Sequence, residues 1–298
     1  MPLKSIGTIA IPDAAGGSFD HGAFDAKTRL IFVAHTARDC VEVIDHDNRQ
    51  HVRALSGFPG AAGVVVDDGQ VLVTNRRSAT LAWLDAHTLA TRGIFQTAPR
   101  PNGVAIARRQ GFAIAACIGD DGRGAKLHVF GLGTGQSYAI DLPGRPRWCV
   151  TDLAGQRIFL AIQNPSMVFV ARLPELDETQ HWKLPAQGAH GLDIDHIGNR
   201  LFAACDDGTL VELDANSGQI TKNWPLAGAP DVTFFNPSTG LVHVAIGDPG
   251  LIQSIDPSTG TSHQIRTAPG AHTTALVSPD CLHVFSPAHG GILTLGDF

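Results

Sequence analysis

Seven positions recur along the chain at intervals of 40 to 45 residues: His21, Ala62, Asn102, Arg147, His190, Asp231 and His272. Each stands just ahead of a short apolar run. Three imidazoles, a carboxylate, a guanidinium and an amide are side chains that bind metal, move protons and hold anions. If His21, His190 and His272 converge, three neutral imidazoles hold Zn²⁺ or another first-row divalent ion (Fe, Mn or Cu) and leave one position open for water. Such an ion lowers the pKa of its water and polarises a carbonyl. Asp231 then serves as the base, and Arg147 holds a substrate carboxylate or a developing oxyanion.

A second set follows the next apolar run of each unit: His35, Asn75–Arg76, Asp120, Gln163–Asn164, Asp206, Asp248 and His289. His35 and His289 would add two imidazoles to the metal set. Asn102, Asn75, Gln163, Asp206 and Arg147 would contact the substrate. A plainer reading stands beside this one: polar residues are expected wherever the backbone turns into a solvated channel. Arg76–Arg77 reads as a solvated turn. His46, His51, His243 and His283 fall on outer strands or remote turns, where a structural role is expected.

These residues are positioned by a repeating unit, clearest from Ala189 to Leu226. It holds four short apolar runs rich in β-branched residues and broken by Gly, Asn and Asp, which read as strands rather than helices. Seven such units of 40–45 residues predict an all-β, seven-bladed β-propeller spanning residues 1–298 as one domain, with blades starting near 21, 62, 102, 147, 190, 231 and 272. The last unit is one strand short. Residues 4–11 supply a spare strand at the other terminus, and pairing the two closes the ring and covers an edge. In this architecture both polar sets open on the mouth of the central channel, a favoured place for a ligand.

Composition narrows the function. With 22 Lys and Arg against 28 Asp and Glu, the net charge of −6 lacks the basic footprint of a nucleic-acid binder. No apolar run is long enough to span a membrane, and the N-terminus shows no signal peptide, which points to the cytoplasm. Five cysteines without a CxxC pair argue against a disulfide framework or a zinc knuckle. Neither Gly-x-Ser-x-Gly nor a phosphate-binding glycine loop occurs, which disfavours serine hydrolases and nucleotide enzymes.

The repeats carry Pro101-Asn102-Gly103-Val104-Ala105, Leu72-Val73-Thr74-Asn75, Val41-Glu42-Val43-Ile44-Asp45 and Ser258-Thr259-Gly260. In these the chain resembles the YVTN/YncE-like propeller repeat family. The resemblance covers nearly the whole chain at the level of fold. It implies a propeller of the kind used by surface and periplasmic binding proteins, lactonase-type hydrolases and haem-associated proteins, though this chain lacks the export signal of many members. No catalytic motif transfers residue by residue. The expectation is a metal-dependent hydrolase or lyase acting on a small ester or lactone at the channel mouth. The alternative is a non-catalytic propeller that binds a small molecule or a protein through the same face. The oligomeric state is left open.

Overall fold

The computed structural model describes residues 3–14, 17–120, 123–277, 281–286, 288 and 290–296. These form 28 strands, numbered in chain order, in seven four-stranded antiparallel sheets. The architecture is the seven-bladed β-propeller expected from the repeat. The last blade combines β26 (Thr273–Val277), β27 (Cys281–Ser286) and β28 (Gly291–Gly296) with β1 (Lys4–Ala10), which pairs antiparallel with β28. The N-terminal strand thus closes the ring.

Within each blade the pattern of burial follows position. In blade one, β3 (Leu30–His35) and β4 (Cys40–Asp45) are covered on both faces, while β5 (Gln50–Ser56) is largely exposed. The core lies between blades: Phe112, Ile114 and Leu127 of blade three pack with Ile158, Leu160 and Phe169 of blade four. Fully burying a side chain such as Phe169 contributes roughly 1.5–3 kcal/mol. The aspartates that end the third strands, Asp45, Asp85 and Asp214, and Asp256 just past the strand Leu251–Ile255, accept backbone N–H bonds from the following turn. That is the physical content of the recurring Val-Ile-Asp motif.

The inner strands are β2 (Phe19–Asp25), β6 (Ala61–Asp67), β10 (Pro101–Ala107), β14 (Pro146–Thr151), β18 (Ala189–Asp195), β22 (Pro230–Phe235) and β26. Glycines let them crowd together. A Cβ on Gly103 would lie 2.3 Å from the Arg147 carbonyl oxygen of the next blade, and one on Gly191 would lie 2.5 Å from that of Asp231.

Candidate functional site at the channel mouth

The sequence expectation set the ring residues ahead of the inner strands; in six blades the structure places them inside, at a β-bulge. The register of β2 with β3 slips by one between Phe19 and Gly22, where Asp20 and His21 lie. The same slip occurs at Ala62–Gly63, Asn102, Arg147–Trp148, His190 and Asp231–Val232. Only His272 precedes its strand, and β26 pairs with β27 in unbroken register. An extra residue at each bulge turns side chains out of the sheet alternation and toward the axis.

Three of the ring residues are histidines, and each gives Nδ1 to a carboxylate. His21 donates to Asp20 Oδ1 at 2.6 Å, His190 to Asp206 Oδ1 at 2.7 Å and His272 to Asp231 Oδ2 at 2.8 Å. His190 Nε2 also lies 3.6 Å from Asp231 Oδ1. The His21 ring stacks on Trp148 with centroids 3.7 Å apart and planes within 2°. Since these residues belong to blades one and four, the contact reaches across the ring and narrows the mouth.

Further polar groups join this set. Arg76 pairs with Asp20 Oδ2 at 2.8 Å and donates to Asn102 Oδ1. Gln163 Nε2 donates to Asp206 Oδ2 at 2.6 Å. Arg147 differs from them all: it is half-buried, yet makes no hydrogen bond or ion pair with any described residue, and its buried Nε is unsatisfied.

The electrostatics follow from these contacts. Burial alone would raise the Asp231 carboxyl, but the His272 hydrogen bond and the His190, His272 and His21 imidazoles hold it below its ordinary value. Burial is likewise outweighed at Asp20 by His21, Arg76 and His272, and at Asp206 by His190 and Gln163. The Asp231 hydrogen bond lifts His272 above the usual imidazole value despite burial. Burial lowers the Arg147 guanidinium, with Arg145 and Arg76 adding to it and Asp206 and Asp231 opposing.

The expected metal set is not assembled as drawn. Among the described residues, His21, His190 and His272 do not form a group whose ligand atoms lie within 4.8 Å of one another. Two other groups do: His35, Cys40 and Glu42, and His46, Cys281 and His283. His35 is a correction: it is fully buried inside blade one, with Nδ1 on Glu42 Oε1 at 2.8 Å. It ends β3 opposite Phe19, and its ring is packed against the Phe19 ring and Gly17. Asn75 is also turned inward, 3% exposed, with Nδ2 donating to Thr80 Oγ1 at 3.1 Å. Its neighbour Arg76, read from sequence as a solvated turn, takes the place at the mouth. His289 lies outside the described residues.

Sequence reasoning missed Asp20 and Trp148 as members of the site. Asp20 and Trp148 each share a bulge with the ring residue beside them, so two side chains of the pair reach the site where spacing counted one.

No family model matches this chain, and no curated protein matches it. Solved structures match in large number, 1744 chains, as expected for a common architecture. One is hydrazine synthase of Kuenenia stuttgartiensis, with a TM-score of 0.80 and 11% sequence identity, over 94% of this chain and 95% of that one. At that identity the likeness shows the fold alone.

Proposed function

We propose that the channel mouth is the active site of a hydrolase or lyase that takes a small ester or lactone bearing a carboxylate. The observation that carries this reading is Arg147, a half-buried guanidinium with no side-chain hydrogen bond or close ion pair to a described residue, attracted only at longer range by Asp206 and Asp231, beside three carboxylate-oriented imidazoles. An unpaired, partly desolvated cation is costly unless a ligand completes it, and a guanidinium fits a carboxylate in bidentate fashion. The YVTN/YncE-like character of the repeats, a family that includes lactonase-type hydrolases, supports the same substrate class.

Each imidazole has its Nδ1–H held by an aspartate, so Nε2 is the nitrogen that meets substrate, at His190 with Asp231 Oδ1 3.6 Å away. That arrangement sets the tautomer and stabilises the imidazolium formed when Nε2 takes a proton. In the reaction proposed, the His190 imidazole removes a proton from water as the oxygen attacks the carbonyl carbon. The ring C–O bond then breaks, and the imidazolium returns the proton to the leaving alkoxide. Asp231, depressed by the His272 hydrogen bond and by the His190, His272 and His21 imidazoles, is an orienting group in this scheme and no longer the base. The substrate carboxylate stays on Arg147.

A divalent ion at the mouth would have to use the Nε2 atoms, with the aspartates as orienting partners behind them. His21, His190 and His272 are not among the described groups with ligand spacing, which does not favour that version, and the assay separates the two. Turnover of a panel of carboxylated lactones and esters is measured in chelator with wild type and His190→Gln. Persistence in chelator and loss in the variant support the imidazole reaction, while loss in chelator alone moves the reading to a metal. If neither protein turns over any substrate yet both bind the ring-opened acid, the propeller is a binding protein.

A further inference from the structure

A second constellation lies far from the mouth, where the last blade meets the first. Cys281 and His283 are two residues apart on β27, so their side chains leave the same face of the strand. His46 reaches them from the turn after β4, fixed by its backbone N–H on the Arg29 carbonyl at 3.1 Å. His283 Nε2 is 3.0 Å from His46 Nδ1 and 3.4 Å from Cys281 Sγ. The two imidazole planes cross at 87°, so the rings meet by their nitrogens and do not stack.

The geometry points to a Zn²⁺ site formed by His46 Nδ1, His283 Nε2 and Cys281 Sγ, with its fourth position open to solvent. In a tetrahedral zinc site, bonds of about 2.0–2.1 Å to nitrogen and about 2.3 Å to sulfur set the ligand atoms roughly 3.3–3.6 Å apart. The two separations from His283 Nε2 are within a few tenths of an ångström of that spacing, and His46 Nδ1 lies within 4.8 Å of Cys281 Sγ. One thiolate and two imidazoles is a donor set suited to zinc.

The surroundings agree. His283 Nδ1 is held by Thr294 Oγ1 at 3.1 Å, the orienting contact that a metal-bound imidazole needs behind it. All three donor residues line a cavity of about 370 Å³ whose wall also includes Arg29, Asp47 and Arg49. That opening gives the ion access and leaves room for water or a small anion as fourth ligand.

The other group with ligand spacing is different in kind. His35, Cys40 and Glu42 are all buried, whereas at the junction His46 stays partly exposed, and Glu42 already bridges His35 and His51. On binding at the blade junction, Cys281 gives its thiol proton to the buffer, and His46 shifts its remaining proton to Nε2. The ion would cross-link blade one to blade seven beside the closing strand and so raise the stability of the whole ring.

Co²⁺ serves as the probe, titrated into the full chain stripped of metal by chelator. One equivalent is expected to produce a thiolate-to-cobalt charge-transfer band and strong tetrahedral d–d absorption, and one equivalent of either Co²⁺ or Zn²⁺ to raise Tm. The charge-transfer band disappears in Cys281→Ser, and His46→Gln and Thr294→Val each weaken binding by about tenfold or more. His190→Ala, at the channel mouth, leaves the band unchanged. His46 is partly exposed, so His46→Gln reads the site without emptying the core, with near-ultraviolet circular dichroism as the check on folding. Absence of the band in folded wild type overturns the proposal. So does its survival in Cys281→Ser, which would place the metal at another cysteine.

Discussion

Arg147 is the residue on which the functional reading turns, and its cost in the free protein is measurable. A partly buried cation with no hydrogen bond or close ion pair, and only the longer-range attraction of Asp206 and Asp231 against its burial, contributes little to the fold, so Arg147→Met is expected to leave Tm unchanged or to raise it. Substitution of a structural ion-pair partner would lower it, and thermal denaturation of the two proteins side by side tells them apart. The His272–Asp231 pair gives a second test. The folded-state pKa of His272 is raised, so the stability this imidazole contributes is complete below its unfolded value and is lost as pH rises through the higher folded value. Asp231 is depressed, and its contribution is present above the unfolded carboxylate value and is lost as pH falls through the lower folded one. NMR titration should therefore find His272 above about 6.5, with a clear fall toward that ordinary value in Asp231→Asn. An unchanged His272 would remove Asp231 as its partner.

At the scale of the strand, the bulges decide which side chains meet. His21, Arg147, His190, Asp231 and His272 were legible in the sequence because a strict period carries them. Asp20 and Trp148 were not, because a bulge adds a residue without changing the period by a recognisable amount. His35 was misplaced for a related reason. The last residue of a second strand alternates inward or outward with its register, and at β3 it points into blade one, beside Phe19 and Glu42. The glycines after the bulges have a steric task that the repeat only hinted at. Gly103→Ala would drive a Cβ into the Arg147 carbonyl oxygen, and should cost about 1–3 kcal/mol by overpacking, read from denaturant midpoints. A neutral outcome would mean that the inner strands can separate without loss.

The ring as a whole was the most legible feature, since seven units and a displaced strand admit few other closures. The His46–Cys281–His283 group was the least, because His46 and His283 are 237 residues apart and meet only once the ring has closed. Below the mouth the inner strands enclose a channel of about 250 Å³, lined by residues such as Val64, Val104, Cys149 and Phe234. Asp193 faces this channel, and burial lifts its carboxyl to about 7 although the Phe235 and Ile194 N–H groups oppose the shift. A raised folded value means that its contribution is complete below the unfolded pKa and is lost as pH climbs toward 7. Wild type should therefore lose on the order of 1–3 kcal/mol between pH 5 and 8 that Asp193→Asn does not lose. The central claim is that the ring presents an anion-binding active site built on Arg147, and calorimetric titration with a small ring-opened hydroxy acid tests it most directly. The account predicts one equivalent bound by wild type and binding weakened by more than about tenfold in Arg147→Met. Equal binding by the two proteins, or none by wild type, would contradict it.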